Sequence, residues 1–185
     1  MKLTAVLCVV LFLPLAACDD NSTNPGGGGA NPSVPFTVGN AYRTRSSMTV
    51  PGLPPSESFQ TDSITADTTL GGKIYYVFTS RKLLRSTPDA VYRWNDTGEV
   101  EYYRFSVSVN DTINALGFWA IVQSVDQDSI FGTNQLCVNI SDQYFFNYAT
   151  YSTKFGVVNT QQSMGFISTT TLVGARIGSR TYGSI

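Results

Sequence analysis

Alternation of apolar and polar residues over short stretches most constrains the fold of this 185-residue chain. In residues 103–107, a tyrosine, a phenylalanine and a valine alternate with Arg104 and Ser106. Successive side chains of a strand point to opposite faces of a sheet, so this pattern predicts half-buried β-strands. Residues 90–94 and 135–140 follow the same period. A slip of one residue would bury Arg104, so we expect the tyrosine and phenylalanine to face the core.

Turn-forming residues separate the alternating stretches. Asn95–Gly98 has the composition of a hairpin turn with glycine at a positive-φ position, and Leu70–Lys73 joins two further strands. Residues 126–128 also have the composition of a turn, and residues 81–88 that of a short helix or an irregular excursion. Strands linked in this way predict an all-β fold, a single antiparallel meander that forms a barrel or a sandwich. One possible form of this meander is an open barrel like that of lipid-carrier proteins.

Aromatic residues are concentrated in two segments, 118–122 and 144–151, which are apolar on both faces. Such strands are either covered on both sides or line an interior that is not fully packed. In the first case the aromatic residues are core, and we expect Trp94, Trp119 and Phe146 to be buried. In the second case some of them line a cavity or groove for a lipid or a glycan, because ligand sites are mostly apolar. The candidate ligand-binding residues are then Trp119, Tyr144, Phe146 and Tyr148.

Catalytic chemistry has little support in the sequence. Histidine is absent, which removes the most common general base and the most common metal ligand. Glu99 and Glu101 could be the paired carboxylates of a glycoside-active enzyme, with Asp126 as a third candidate. Ion pairs with arginines such as Arg104 on a solvent-exposed face of the sheet would equally explain why these carboxylates are present. Cys137 has no histidine to activate it and suits a buried position, so we expect no catalytic residue, metal or cofactor.

The N-terminus has the pattern of an export signal. Lys2 precedes an apolar run over residues 5–17, which is shorter than the roughly 20 residues that cross a bilayer as a helix. The sequence Leu-Ala-Ala-Cys at 15–18 resembles the lipobox of bacterial lipoproteins in all four positions. This resemblance implies cleavage after residue 17 and acylation of Cys18. Two or three acyl chains would tether the chain to a membrane without spanning it.

Composition divides the remainder into a linker and one domain. Residues 18–35 are rich in glycine, proline, asparagine and serine, which predicts a flexible linker. Residues 36–185 form the β domain. Loss of Lys2 with the signal leaves 11 basic against 13 acidic residues, a formal charge of −2. This charge gives no electrostatic footprint for nucleic acid, so we expect none as a partner.

Several short motifs resemble those of a loose family of uncharacterised Bacteroidota-type secreted or lipid-anchored β proteins. They are the lipobox, the Phe-x-x-Gly-Asn start at 36–40 and the end Leu-Val-Gly-Ala-Arg-Ile-Gly-Ser-Arg-Thr-Tyr-Gly at 172–183. The resemblance implies an antiparallel β domain of the cell envelope, with the outer membrane favoured over the inner. We therefore expect a membrane-tethered binding or structural module. A hydrophobic-ligand carrier and a glycoside-active enzyme are the alternatives.

Overall fold

Thirteen β-strands make up the part of the chain that the structure, a computed structural model, describes: residues 33–144 and 146–185. The predicted signal, Cys18 and most of the linker lie outside the described residues. The strands are β1 (Ala41–Thr49), β2 (Ser56–Leu70), β3 (Lys73–Phe78), β4 (Leu83–Ser86), β5 (Ala90–Asn95), β6 (Gly98–Arg104), β7 (Thr112–Ala115), β8 (Phe118–Ile130), β9 (Thr133–Ser141), β10 (Asn147–Ser152), β11 (Gly156–Ser163), β12 (Ile167–Ile177) and β13 (Arg180–Gly183). Within the described ranges no helix is long and apolar enough to span a membrane.

The strands form one antiparallel sheet in the order β6-β5-β4-β3-β2-β1-β12-β11-β10-β9-β8-β7, with β13 paired to β12. Strands that follow each other along the chain are neighbours in the sheet within β1–β6 and within β7–β12. The pairing of β1 with β12 joins these two halves. The path ends, β6 and β7, lie against each other, where the Leu116 N–H donates to the Tyr102 carbonyl over 2.6 Å. The predicted all-β antiparallel meander is confirmed. It takes the form of a nearly closed barrel.

The segment before β1 covers one end of the barrel, which we call the closed end. Val34 and Phe36 are buried there, and the Phe36 ring meets the Phe78 ring at 5.5 Å between centroids. The buried Asn40 side chain donates to the Pro35 carbonyl over 2.7 Å and accepts from the Gly178 N–H over 2.9 Å. The packed chain therefore includes Val34, which falls in the segment 18–35 that the composition assigned to the linker.

The inward and outward faces predicted for Tyr103, Arg104 and Phe105 are confirmed, but the strand is shorter than predicted, because β6 ends at Arg104. Tyr103 and Phe105 are 2% and 3% exposed, whereas Arg104 points to solvent. The Tyr103 ring packs on Tyr151 with 4.7 Å between centroids, and the Tyr151 hydroxyl donates to the Arg104 carbonyl over 2.7 Å. These aromatic contacts join β6 to β10 across the barrel interior, so they hold its two halves together.

The burial predicted for Trp119 and Phe146 is wrong. Their side chains are 68% and 48% exposed, and Trp94 is half-buried. The sheet is a single layer, so the interior covers only one face of each strand. In β8 that face carries Ala120, which is buried, and Trp119 points outward. A segment that is apolar on both faces is covered on both only when a second layer packs outside it.

Two predictions about connections are also wrong. Residues 81–88 contain strand β4, and residues 126–128 continue β8 instead of forming a turn. In β8, Asp126 pairs with Cys137 of β9, so the backbone groups are used by the sheet while the carboxylates stay in solvent. The predicted turns at 70–73 and 95–98 are confirmed, and Gly98 has a φ of +121°.

Candidate functional site

The barrel encloses an interior cavity of about 500 Å³. This lies within the range of roughly 300–1,000 Å³ that ligand pockets usually have. Its walls come from strands on both halves of the barrel. The lining residues are Phe36, Tyr42, Thr44, Ser46, Gln60, Asp62, Phe78, Lys82, Leu84, Tyr102, Tyr103, Leu116, Phe118, Asn147, Tyr148, Phe155, Gly156, Val157, Val158, Thr160, Gln161, Gln162, Ser168, Thr170 and Leu172.

The cavity is apolar at its base and polar without net charge towards its mouth. Near the closed end its wall consists of buried side chains such as Phe36, Phe78 and Phe155. Further along, hydroxyl groups of neighbouring strands face inward, as at Ser46 and Thr170, whose oxygens lie 3.0 Å apart. Such a wall suits a molecule with an apolar body and an uncharged or weakly polar head.

The charged groups of the cavity wall compensate each other. Among the described residues the lining contains one carboxylate, Asp62, and one ammonium, Lys82, separated by 3.6 Å. Asp62 also accepts hydrogen bonds from the side chains of Thr79 and Ser80 and from the Ser80 N–H. Neither charge is left unpaired, so the wall offers no strong site for an ionic ligand.

The mouth of the cavity lies opposite the closed end. Along β1 the side chains change from buried at Ala41 to exposed at Thr49, and the inward-facing residues follow this gradient. The connections between β1 and β2, β9 and β10, and β11 and β12 all lie at this second end, because antiparallel neighbours turn there. We call it the open end.

Tyr42 supplies an unused polar group at the cavity wall. Its hydroxyl is buried and has no hydrogen-bond partner within the part of the chain that the structure describes. Burial raises the pKa of Tyr42 to about 12, an effect that the nearby Asn40 side chain partly offsets. The hydroxyl is therefore neutral at physiological pH. A buried polar group without a partner costs about 1–3 kcal/mol.

The four candidate residues named from the sequence do not lie together. Tyr148 borders the cavity, but its hydroxyl donates to the Asn139 side chain over 2.8 Å. Tyr144 and Phe146 lie in the β9–β10 connection at the open end, with their rings 6.0 Å apart and both exposed. Trp119 lies outside the cavity, on the outer face of β8. The structure thus places one of the four at the cavity and two at its open end.

Trp119 borders a separate groove at the seam between β6 and β7, which we call the seam groove. This groove has a volume of about 450 Å³ and is wide open to solvent. Glu101 and Arg104 form one wall, joined by an ion pair of 2.7 Å, and Asn114 lies on the other. Of the four aromatic residues proposed for a lipid or glycan site, Trp119 is the one that borders this groove.

The carboxylates considered for catalysis are engaged elsewhere. Glu99 lies on the outer face of the sheet, where it accepts hydrogen bonds from Lys73 over 2.7 Å, from Arg85 over 2.9 Å and from the Tyr75 hydroxyl. The Arg85 guanidinium, with Lys73 and Tyr75, lowers the pKa of Glu99 to about 2 against the effect of desolvation. A general acid needs a raised pKa, so this arrangement stabilises the sheet instead. Neither Glu99 nor Glu101 borders the cavity.

Substitution Glu99→Gln should change the acid stability of the barrel. The pKa of Glu99 in the folded chain is depressed to about 2, below its unfolded value of 4.5. Its stabilising contribution is therefore complete above pH 4.5 and is lost as the pH falls towards 2. We expect Glu99→Gln to lower the free energy of unfolding by about 1–2 kcal/mol at neutral pH, after allowance for solvent screening. Urea titrations at several pH values should show a flatter acid limb for the variant. An unchanged acid limb would remove this role.

Cys137 is buried in β9, as its sequence environment suggested. Burial raises the pKa of its thiol to about 11, so the thiolate that would act as a nucleophile is scarce at neutral pH. Its neighbours across the sheet are Asp126 in β8 and Ser152 in β10. The residue therefore packs as a small apolar side chain.

The sequence did not identify the inward-facing hydroxyl residues of the cavity wall. Thr44 and Ser46 in β1, and Thr170 in β12, alternate with equally polar neighbours such as Arg45 and Thr171. Because inward-facing and outward-facing residues of these strands are both polar, no alternation of apolar and polar residues identifies the interior face. A Ser- and Thr-rich strand that lacks one apolar face could have been taken as a sign of a solvated interior.

Comparisons with known proteins add little to this geometry. No protein-family model matches the chain. No curated protein matches it either. Among solved structures, the chain is similar to the crystal structure of a LolA superfamily protein from Nitrosomonas europaea, with a TM-score of 0.24 and 8% identity, over 76% of this chain and 86% of that one. A likeness this distant assigns neither a family nor a ligand to the chain.

Proposed function

We propose that the chain is a lipid-anchored envelope protein whose barrel binds a hydrophobic ligand, of the size of an acyl chain, in its interior cavity. The observation that carries the proposal is the cavity of about 500 Å³, closed at an apolar base and lined by uncharged polar groups towards its mouth. A binding or structural module with a dry, packed core would have no such space. A glycoside-active enzyme would need two facing carboxylates, and the described cavity wall has one.

The lining residues suit a ligand whose apolar part lies near the closed end and whose polar part lies nearer the mouth. Phe36, Phe78 and Phe155 would contact an apolar chain near the closed end, where burial of each methylene contributes about 0.8 kcal/mol. The hydroxyl groups of Ser46 and Thr170 would face a polar head nearer the mouth. No step of bond breaking is part of this function, and the chain acts as a binding protein.

The anchor belongs to the same proposal. Acylation of Cys18, removal of residues 1–17 and a position at the outer membrane rest on the resemblance of the N-terminus to bacterial lipoproteins. The segment between Cys18 and Val34, which its composition predicts to be a linker, would let the barrel reach ligands at the membrane to which it is attached.

Filling the cavity should abolish binding. Thr170 is half-buried and lines the cavity, so Thr170→Phe places a ring in the space that the ligand needs. We expect the affinity for a fluorescent fatty-acyl probe to fall at least about tenfold, because the displaced chain loses contacts worth more than about 1.4 kcal/mol. Probe fluorescence titrated with the purified protein measures it.

Thr171→Phe is the matched control. Thr171 lies on the opposite face of the same strand, where its hydroxyl donates to the Asn159 side chain over 3.2 Å. The substitution adds the same bulk outside the cavity and should leave binding of the probe unchanged. Equal affinities for the two variants, with both folded by circular dichroism, would contradict an interior site.

A further inference from the structure

Three neighbouring connections at the open end carry exposed apolar side chains. They are residues 50–55 between β1 and β2, 164–166 between β11 and β12, and 142–144 with 146 between β9 and β10. We call them the rim. Its most exposed apolar residues are Leu53 at 64%, Met164 at 66% and Tyr144 at 67%, and Phe146 is also exposed. Exposed apolar residues on an ordinary protein surface are scattered singly and need no explanation. Four of them grouped at one end of a small domain do need one.

The rim is continuous around one arc of the mouth. Thr49 pairs with Ile167, which joins the first connection to the second. The Ser163 N–H donates to the Phe146 carbonyl over 2.7 Å, which joins the second connection to the third. The apolar tips therefore stand side by side, next to the half of the cavity wall that carries Ser46 and Thr170.

The rim contains almost no charge. Residues 50–55 and 164–166 carry none, and the described part of the third connection carries only Asp142. The two Asp142 oxygens accept hydrogen bonds from the N–H groups of Tyr144, Phe146 and Asn147 and from the Asn147 side chain. Only the Asp142 carboxylate would have to leave water with the rim, and it would keep these four hydrogen bonds, which reduces the cost of such a transfer.

We propose that the rim docks on a lipid bilayer surface, with Leu53, Met164 and Tyr144 inserted among the headgroups. The inference rests on the proposed function, because docking places the cavity mouth against the source of a hydrophobic ligand. Separate protruding tips suit shallow insertion of single side chains, whereas a folded protein partner needs a continuous surface of roughly 800 Å² on each side. The absence of basic residues on the tips fits a neutral lipid surface rather than an anionic one.

A fluorophore at the rim tests the docking directly. The exported, acylated chain with Met164→Cys is labelled with an environment-sensitive dye and reconstituted in phosphatidylcholine vesicles that contain brominated acyl chains. With Cys18 acylated and Cys137 buried, the unsubstituted chain should take up no dye. We expect blue-shifted emission and quenching by bromine at position 164. The same dye at Ser179→Cys, at the closed end, should keep its emission in water. Equal behaviour at the two positions, or a dye at 164 that stays in water, would overturn the proposal.

A second substitution separates docking from ligand binding. Leu53→Ser, made in the labelled Met164→Cys chain, should reduce the ratio of docked to undocked protein about tenfold, because it removes one inserted side chain. Val38→Ser is the control, since Val38 is 49% exposed at the closed end. Both variants should bind the soluble acyl probe as the parent does. If the parent chain binds the probe but does not dock, the proposed docking of the rim is wrong and the proposed ligand binding stands. If it docks but does not bind the probe, the proposed ligand binding in the cavity is wrong.

Discussion

Substitution Tyr103→Ala is expected to lower the free energy of unfolding by about 3–5 kcal/mol. Tyr103 is 2% exposed and its ring contacts Tyr102, Phe105 and Tyr151 across the interior. Removal of the ring leaves a void that these neighbours fill only in part. Small domains are stable by about 5–15 kcal/mol, so this single change would consume a large part of the total. Urea unfolding followed by tyrosine and tryptophan fluorescence gives the value.

Trp119→Ala is the matched comparison for Tyr103→Ala. Both residues are large aromatics in β-strands, but Trp119 is 68% exposed on the outer face. We expect its truncation to change stability by no more than about 0.5 kcal/mol. A loss of several kcal/mol at Trp119, or a loss below about 1 kcal/mol at Tyr103, would contradict the single-layer barrel.

Substitution Cys18→Ser should abolish acylation completely. The resemblance of residues 15–18 to a lipobox predicts that the Cys18 thiol accepts the diacylglyceryl group, and a serine hydroxyl is not acylated in its place. We expect no incorporation of labelled palmitate, and a signal that the lipoprotein peptidase leaves uncleaved. Cys8→Ser, within the predicted signal, should be labelled like the unsubstituted chain. A labelled Cys18→Ser protein would contradict the lipoprotein assignment.

The sequence was informative where one face of a strand is apolar and the other polar. The faces of Tyr103, Arg104 and Phe105 were predicted correctly because a slip would have buried Arg104, although the strand ends at Arg104. The hairpin at Asn95–Gly98 was predictable because a turn with positive φ favours glycine, and Gly98 has that backbone conformation. Local chemistry of this kind determines strands and turns without information from the rest of the chain.

The choice between barrel and sandwich depends on contacts distant in sequence. It is decided by the pairing of β1 with β12 and by the approach of β6 to β7, neither of which leaves a local pattern. The absence of a second layer also explains why Trp119, which we expected inside, is exposed. The cavity escaped prediction because its mouth is lined by residues such as Ser46 and Thr170, which resemble solvent-facing positions.

The most direct test of the interior site is native mass spectrometry of the protein purified from its own membranes. Spectra are recorded under native and under denaturing conditions, and covalent acyl groups contribute equally to both. The account predicts a native mass that exceeds the denatured mass by one lipid-sized molecule, and loss of this excess in Thr170→Phe but not in Thr171→Phe. Identical native and denatured masses, in a chain that also fails to take up an added acyl probe, would contradict it.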